Sequence, residues 1–221
     1  MVKTITHKEN EAYFGEDKHC DIAQTGSFSE LIFELLSGKR PTPSEKKIFE
    51  LVLNLSIDHG PDTPSAVATI EAAKVGQSIS EAVSSGIEQI NDSHGGAIEP
   101  AMALFYRVKR EGLRVKDLIP KYLNEGKRVA GFGHRIYEVD PRAQLILKYL
   151  ADAKLGEDFI KIALEIESEL TAQKGKKLPL NIDGAIAIAL CSFGWEARLG
   201  KAVFIIARTP GLCGQYLSCL G

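Results

Sequence analysis

The sequence predicts an all-α fold, and three observations support this prediction. Apolar residues recur at the spacing of helical turns along most of the 221 residues. Serine or threonine followed three residues later by glutamate, a signal that starts helices, precedes two of these stretches. Alternation of β-branched and polar residues is nearly absent, and the best strand candidate is the short segment 128–137.

The first two predicted helices begin with capping boxes. Ser27 and Glu30 start one helix, and a glycine ends it at position 38. Thr42 and Glu45 start the next, with a proline in its first turn. Capping and breaking residues then predict further helices over 64–75, 78–90, 98–110, 140–153, 157–173, 183–191 and 195–207.

Composition excludes several classes of protein. The formal net charge of -2 gives no basic surface for nucleic acid or an anionic membrane. The longest apolar run, 202–207, is far shorter than the roughly 20 residues that span a bilayer, and the N-terminus lacks the apolar core of a secretory signal. The cysteines lack metal-ligand or disulfide-framework spacing, so we expect free thiols and a cytoplasmic location.

Three of the five histidines lie among glycines between predicted helices: His59, His94 and His134. Glycine lets the backbone approach a ligand closely, and imidazole exchanges protons near neutrality. One such histidine is more often a surface or capping residue, but three together predict an acid–base site. Their spacing does not fit a metal site, and no phosphate-loop motif supports direct use of ATP. His7 and His19 lie in a polar N-terminal stretch where we expect no function.

Two arginines and one aspartate complete the candidate set. Arg142 follows Asp-Pro at a helix start, and Arg208 interrupts an apolar helix, where a guanidinium needs an anion such as a carboxylate. Asp183 enters an apolar segment. There it is equally a helix N-cap or a general base whose pKa is raised by apolar surroundings. The pattern alone leaves these two alternatives open.

The motifs around these residues resemble those of the citrate synthase superfamily. Gly-Phe-Gly-His-Arg-Ile-Tyr, followed closely by Asp-Pro-Arg-Ala at 131–143, resembles the signature segment of citrate synthases. Segments 58–61 and 94–97 match the two other histidine motifs, 176–184 the aspartate motif, and 207–211 an arginine motif. These five motifs occur in the family's order, and the resemblance runs from about residue 20 to residue 217.

Within the superfamily, the compact layout is more similar to citryl-CoA lyase and to the citryl-CoA lyase module of ATP-citrate lyase. His94 is a departure toward the synthases, because an aromatic residue is expected at this position in the animal lyase module. A second departure is the lack of the later Glu-Arg-Pro segment, whose arginine in citrate synthases reaches the neighbouring subunit's site.

The resemblance implies a site for acetyl-CoA and oxaloacetate. Asp183 would remove a methyl proton from the acetyl thioester, His94 would hydrogen-bond the thioester oxygen, and His134 would polarise and protonate the ketone. Run backward, the same residues would cleave citryl-CoA. The carboxylates of oxaloacetate would be held by His59, Arg142 and Arg208. Coenzyme A would be bound by a basic set made of Arg135, Lys174, Lys176 and Lys177, although a solvated lysine run explains these lysines equally well.

The resemblance also implies a citrate synthase-like helical fold with two domains. The large domain would comprise residues 1–95 and 196–221, and a smaller mobile domain, residues 96–195, would carry coenzyme A and the catalytic residues. Apart from the coenzyme A thioester substrate, no cofactor is implied. We expect a homodimer or a dimer of dimers, with segments 65–70 and 82–90 as interface helices, although core packing explains both equally well.

The leading functional hypothesis is cleavage of citryl-CoA to acetyl-CoA and oxaloacetate. A separate citryl-CoA synthetase is then a candidate partner. The alternatives are a citrate or 2-methylcitrate synthase, which the presence of His94 favours, and a non-catalytic acyl-CoA-binding or partner subunit.

Overall fold

The computed structural model describes residues 2–91, 95–134 and 137–220. This part of the chain is mostly helical, which confirms the predicted all-α class, and the chain divides into two compact units, residues 1–51 and 52–221. The domains expected from the resemblance, 1–95 with 196–221 and 96–195, have other boundaries, and that division stays a prediction.

A three-stranded antiparallel sheet opens the first unit. Its strands are β1 (Ile5–Lys8), β2 (Glu11–Phe14) and β3 (Asp17–Lys18), paired in chain order. The β1–β2 turn uses positive φ angles at Glu9 and Asn10, a conformation that asparagine adopts more readily than most residues. The sequence did not predict this sheet, because every β1 residue is exposed and no apolar alternation marks the strand.

Three helices follow, namely α1 (His19–Thr25), α2 (Phe28–Ser37) and α3 (Pro43–Ser56), and residues 52–56 of α3 already belong to the second unit. Both predicted capping boxes are confirmed. The Glu30 carboxylate accepts a hydrogen bond from the Ser27 N–H at 2.8 Å, and Ser27 Oγ accepts one from the Glu30 N–H at 3.3 Å. Thr42 and Glu45 form the same reciprocal pair before α3, with distances of 2.8 and 3.3 Å.

The second unit is built around one buried helix. Its described helices are α4 (Pro64–Lys74), α5 (Ile79–Glu88), α6 (Ile98–Glu111), α7 (Val115–Asn124), α8 (Pro141–Asp152), α9 (Glu157–Lys174), α10 (Ile182–Ser192) and α11 (Leu199–Ser218). Every residue from 184 to 191 of α10 is buried. This helix contacts α6, α8, α9 and α11, so the residues at its ends are fixed by packing on several sides.

Helices α4 and α5 are in close contact with each other. Gly86 of α5 permits this contact, because a Cβ at this position would lie 2.1 Å from Thr69 Oγ1 and 2.8 Å from the Ser65 carbonyl oxygen. Both helices also pack on α11. Their small buried residues are therefore explained within the chain, and the expected contribution of segments 65–70 and 82–90 to a dimer interface stays a prediction.

Two details of the secondary structure differ from the sequence interpretation. Segment 128–137 is no strand over its described residues, because glycines with φ of +85° and +90° at positions 131 and 133 interrupt it, and only Phe132 forms an isolated bridge, to Leu180. The helix predicted over 195–207 begins at Leu199 and continues to Ser218 through Pro210. A proline removes one helical hydrogen bond, and here the buried residues around it keep the helix continuous.

Helix α7 was not predicted, and it too contains an internal proline, Pro120. In the described ranges, no helix is both long and apolar enough to cross a membrane. All four cysteines are free thiols.

Candidate active site

Asp183 lies in the first turn of α10 without capping it. The cap is Asn181, whose Oδ1 accepts a hydrogen bond from the Gly184 N–H at 3.2 Å. The interpretation of Asp183 as an N-cap is therefore wrong, and its carboxylate is not occupied by the helix terminus. Asp183 lines an open cleft together with His134.

The surroundings of Asp183 favour the protonated carboxyl group. Asp183 keeps some exposure to the cleft, yet burial in the surrounding protein raises its pKa from the ordinary 3.8 to about 6. The charges of Arg142 and Arg208 oppose this shift, and the negative charge of Asp140 adds to it. The group thus changes protonation state close to neutral pH, as proton transfer requires.

The loop before His134 lies directly against the start of α10. A Cβ at Gly184 would be 2.4 Å from the Gly131 carbonyl oxygen, so only glycine permits this contact. Three hydrogen bonds fasten the two segments: Gly133 N–H to Pro179 O at 2.7 Å, Asn181 N–H to Gly131 O at 3.0 Å, and Asn181 Nδ2 to Gly133 O at 2.9 Å. His134 and Asp183 are therefore positioned by two backbone segments that are hydrogen-bonded to each other.

The hydrogen bonds of His134 define its tautomer. Its Nδ1 accepts a hydrogen bond from the Tyr137 N–H at 3.0 Å, so this nitrogen carries no proton. The neutral imidazole then carries its proton on Nε2, which lies 3.4 Å from Arg142 Nη2 and 4.0 Å from Asp140 Oδ2. Nε2 can therefore donate a hydrogen bond to a bound oxygen beside the Arg142 cation, and its 3.4 Å approach to Arg142 Nη2 brings two donors together and is not itself a hydrogen bond.

Arg142 is held by a buried carboxylate. Asp140, which is 0% exposed, accepts hydrogen bonds from Arg142 Nε at 3.0 Å and Nη2 at 2.9 Å. Burial alone would raise the pKa of Asp140, but the hydrogen bonds and charge of Arg142 outweigh it and the pKa is lowered. This two-point pairing fixes the plane of the guanidinium and leaves Nη1 for other partners.

His59 lies on the other side of the same guanidinium. Its Nδ1 is 3.3 Å from Arg142 Nη1, and because arginine only donates, this nitrogen accepts. Burial and the nearby charges of Arg142, Arg208 and His134 lower the pKa of His59. The neutral ring then presents an Nε2–H donor, which suits a ligand carboxylate.

Arg208 is a buried cation on α11. It is 3% exposed, its Nε donates to the Ser56 carbonyl oxygen at 2.8 Å, and its guanidinium lies 4.8 Å from the centre of the Phe204 ring. Its buried Nη1 has no hydrogen-bond partner among the residues that the structure describes. Burial lowers the pKa of Arg208, whereas the charges of Asp58 and Asp183 raise it. Such a group has a strong requirement for an anion.

Two cavities adjoin each other along segment 128–132. The larger cleft, of about 1050 Å³, contains His134 and Asp183 and is bordered by the start of α6. The second, of about 510 Å³, has an apolar floor of leucines with Phe132 and a basic rim. Its cations are Lys127, Arg128, Lys174 and Lys176. Arg128, Val129 and Phe132 line both cavities, so one elongated ligand could occupy the two together.

Most of the predicted site residues can be located. The structure places His134, Arg142, His59, Arg208 and Asp183 around one region of the second unit. Lys174 and Lys176 line the adjoining cavity, whereas Lys177 is exposed and does not line it. His94 and Arg135 lie outside the described residues. His7 lies in β1 and His19 begins α1. No cluster of three or more His, Cys, Asp and Glu side chains within the described ranges could hold a metal ion.

Two positioning side chains were missed by the sequence interpretation, namely Asp140 and Asn181. Both were interpreted only as neighbours of a candidate residue. Their signal was present in the sequence, because Asp-Pro and Asn-x-Asp-Gly are typical of helix N-termini and such polar side chains bind backbone N–H groups. What the sequence could not indicate is that each also binds a segment distant in the chain.

Comparison with known proteins relates the chain to one family. A family model described as "Citrate synthase, C-terminal domain" matches residues 2–219. A solved citryl-CoA lyase from Hydrogenobacter thermophilus is 34% identical, with a TM-score of 0.92 over 100% of this chain and 86% of that chain. A citrate synthase from Thermoplasma acidophilum, 23% identical with a TM-score of 0.70 over 89% of this chain and 54% of that chain, shares the fold.

Curated relatives include much longer proteins. A probable ATP-citrate synthase of Caenorhabditis elegans is 31% identical over 81% of this chain, and the ATP-citrate synthase of Homo sapiens is 30% identical over 77%. The matched segments cover 18% and 17% of these relatives, so the chain spans less than a fifth of their length.

Proposed function

Because this chain belongs to the citrate synthase C-terminal domain family, we propose that it cleaves citryl-CoA to acetyl-CoA and oxaloacetate. One observation carries the proposal. His134 and Asp183 line the same cleft, and the Arg142 guanidinium lies within 3.4 Å of ring nitrogens of both His134 and His59. Two acid–base groups and a carboxylate-binding cation are what cleavage of a hydroxy-tricarboxylate thioester requires.

Substrate carboxylates bind to the cationic side of the site. Arg142 offers Nη1 and His59 offers its Nε2–H, and the buried Arg208 supplies a second guanidinium. In a site of reduced dielectric constant, each charge-assisted hydrogen bond is stronger than in water. These contacts hold the oxaloacetate half of citryl-CoA while the bond to the acetyl half breaks.

The carbon–carbon bond breaks as the hydroxyl group of citryl-CoA becomes a ketone. The hydroxyl proton leaves to water in the open cleft, and the His134 Nε2–H donor and the Arg142 cation stabilise the negative charge that develops on this oxygen. The bonding electron pair passes to the acetyl thioester as an enolate. The carboxylic acid of Asp183 then protonates its carbon to form the methyl group of acetyl-CoA. By the family resemblance, His94 hydrogen-bonds the thioester oxygen of this enolate.

Coenzyme A occupies the second cavity. The apolar floor suits the adenine ring, and the phosphates bind to the basic rim formed by Lys127, Arg128, Lys174 and Lys176. The shared lining at Arg128, Val129 and Phe132 brings the pantetheine arm from this cavity into the cleft of Asp183. Arg135 and Lys177 remain proposed contributors from the same basic segments.

The main alternative is the synthase direction, in which citrate or 2-methylcitrate is formed. The same residues serve it, and His94 favours it. Cleavage is preferred because a solved citryl-CoA lyase is 34% identical with a TM-score of 0.92, whereas a solved citrate synthase is 23% identical with a TM-score of 0.70. A non-catalytic acyl-CoA-binding subunit is the third candidate. A homodimer or dimer of dimers, a cytoplasmic location and a separate citryl-CoA synthetase as partner are further parts of this proposal.

Incubation of the pure protein with citryl-CoA tests the proposal. We expect stoichiometric oxaloacetate and acetyl-CoA, with little free citrate, and we expect Asp183→Ala to abolish both products. Free citrate and coenzyme A without oxaloacetate would instead indicate hydrolysis. Rapid release of coenzyme A from acetyl-CoA or propionyl-CoA plus oxaloacetate would support the synthase. No turnover in either direction would support the binding subunit.

A further inference from the structure

We propose that Asp140 is a positioning residue that fixes the carboxylate-binding Arg142 relative to the helix start that carries Asp183. The inference rests on the proposed function, since it concerns how that site is held together. Asp140 has no direct part in the proposed chemistry, because it is fully buried and its Oδ2 lies 4.0 Å from His134 Nε2, beyond hydrogen-bond distance.

Asp140 uses both carboxylate oxygens on two distant segments. Oδ1 accepts hydrogen bonds from the backbone N–H and the Nε of Arg142, both at 3.0 Å. Oδ2 accepts from Arg142 Nη2 at 2.9 Å and from the Ile182 N–H at 3.0 Å. One side chain therefore joins α8 to the first residue of α10, which immediately precedes Asp183.

Helix capping explains only one of these four bonds. Asp140 is the N-cap of α8, and a cap requires a single oxygen that accepts from the first turn. A serine would provide that. The bonds to the guanidinium and to Ile182 require a second oxygen, a longer reach and a negative charge. These bonds hold Arg142 and the start of α10 in place.

The bond to Ile182 orients the start of α10. The first N–H groups of a helix lack partners inside it, and here Asn181 binds that of Gly184 while Asp140 binds that of Ile182. The Asp183 side chain begins between these two anchored positions. Loss of the Asp140 contact would let this first turn shift relative to Arg142, and a displacement of 1 Å in a reactive geometry reduces the rate by about 100-fold.

The negative charge of Asp140 also partly offsets the two positive charges that act on Asp183. The charges that shift the pKa of Asp183 are those of Arg142 and Arg208, which favour its ionised form, and of Asp140, which opposes it; Arg128 and the titratable His134 line the same cleft. Without Asp140, both cations would act on Asp183 uncompensated. We therefore expect removal of Asp140 to move the protonation of Asp183 to lower pH. An effect confined to helix capping would leave this protonation where it is.

Asp140→Ser is the informative variant, because serine keeps the cap oxygen and removes the other contacts. We expect a folded protein whose Kd for oxaloacetate is raised about tenfold or more, with cleavage of citryl-CoA about 100-fold slower and its pH profile displaced to lower pH. Asp152→Ser is the matched control. It lies on the same helix, is exposed, and forms an ion pair with Lys148, so binding and cleavage should be unchanged.

A second variant and a double-mutant cycle distinguish a loss of positioning from a loss of folding. Asp140→Asn keeps the side-chain shape and removes the charge, and we expect it to change Kd and the pH profile in the same direction. If Asp140 acts through Arg142, then Asp140→Asn combined with Arg142→Gln should bind oxaloacetate no more weakly than Arg142→Gln alone. Circular dichroism and thermal melting establish that each variant is folded.

The outcomes separate this inference from the proposed function. Folded Asp140 variants with wild-type Kd and pH profile would reduce Asp140 to a helix cap and overturn the inference, whatever the enzyme does. Unfolding of both variants would show a purely structural role and overturn it too. If wild type binds oxaloacetate but does not cleave citryl-CoA, the proposed function fails while the Kd values still decide the role of Asp140. A wild type that binds no oxaloacetate overturns both.

Discussion

Asp183 combines two properties that a proton donor or acceptor needs: access to the cleft and a pKa of about 6. Its carboxylate does not cap the helix, because Asn181 occupies the cap position. Because the ordinary value is 3.8, the folded protein holds the proton over a pH range in which a free aspartate has lost it. The direction of the reaction then determines which form is active.

The two directions should depend on pH in opposite ways. Cleavage of citryl-CoA consumes the proton of Asp183, so kcat/KM should be constant below pH 6 and fall about tenfold per pH unit above it. Enolisation of acetyl-CoA needs the carboxylate, so deuterium exchange into its methyl group should rise through the same pH.

Steady-state assays of cleavage from pH 5 to 8.5 check this prediction. His59 is a histidine of the same site whose pKa is lowered by burial and by nearby charges, so His59→Asn serves to distinguish its titration from that of Asp183. The inflection should persist in that variant. An inflection that moved with His59, or a cleavage rate rising with pH, would contradict the assignment of Asp183.

Asp183→Asn should stabilise the protein while abolishing catalysis. A pKa raised on folding means that stability is fully present below pH 3.8 and is lost as pH rises through about 6. At pH 8 the ionised wild-type group therefore lowers the free energy of unfolding by about 1–3 kcal/mol, which the neutral amide avoids. Urea denaturation at pH 8 and at pH 4 measures this. A variant less stable than wild type at pH 8 would indicate a compensating partner for the carboxylate.

The start of α10 and the loop at 131–134 behave as one element. Gly131 and Gly184 are in backbone contact, and three hydrogen bonds join the loop to residues 179–181. The glycines are required for different reasons. Gly131 has a φ of +85°, whereas Gly184 is helical and is excluded from bearing a side chain by the Gly131 carbonyl group and by Leu180 Cδ1.

Gly184→Ala should therefore cost both stability and activity. Its Cβ would lie 2.4 Å from the Gly131 oxygen and 2.5 Å from Leu180 Cδ1, so the loop must move away from the helix. Overpacking of this kind costs about 1–3 kcal/mol, and we expect cleavage to fall by more than tenfold since His134 and Asp183 separate.

Gly214→Ala is the matched control, because Gly214 is also helical and nothing lies within 4 Å of a Cβ there. It should raise the free energy of unfolding by about 0.5–1 kcal/mol and leave activity unchanged. Thermal melts and cleavage rates of the two variants side by side make the comparison. Equal effects of both substitutions would mean that helical propensity, rather than the loop contact, decides.

Local signals in the sequence predicted most of the helices. Both capping boxes are confirmed, and so is the helix that follows Asp140 and Pro141. The prediction failed where tertiary contacts decide. Pro210 is kept inside α11 by the buried residues around it, and the exposed hairpin of β1 and β2 has no apolar pattern. The sequence alone does not show whether packing keeps a proline inside a helix. Nor does it show whether a short exposed segment without an apolar pattern pairs as a strand.

The site was predictable as a set of residues but not as a geometry. His134, Arg142 and Asp183 stood out by their motifs and by the family resemblance. Their mutual positions depend on Asp140 and Asn181, which bind across 42 and 48 residues of chain. The tautomer of His134 likewise depends on the Tyr137 N–H, which no sequence pattern indicates.

The ligand that we propose is long enough to use two cavities of the second unit at once. Citryl-CoA carries its reacting carbons at one end and a phosphorylated nucleotide at the other. The cleft of about 1050 Å³ contains the acid–base groups, and the basic cavity of about 510 Å³ contains none of them. Binding and chemistry should therefore be separable by mutation.

Lys174→Ala combined with Lys176→Ala should weaken coenzyme A binding without changing the chemistry. Both lysines line the basic cavity, and loss of charge-assisted contacts to phosphate should raise KM for citryl-CoA about tenfold or more, with kcat nearly constant. Oxaloacetate binding should stay at its wild-type value, because its proposed ligands lie in the other cavity.

Lys161→Ala, at an exposed position on helix α9, which also carries Lys174, is the matched control and should change neither constant. Dephospho-coenzyme A sharpens the test, since its affinity should fall less in the double variant if these lysines bind the 3′-phosphate. A fall in kcat at unchanged KM would place the lysines in the chemistry and contradict the division between the two cavities.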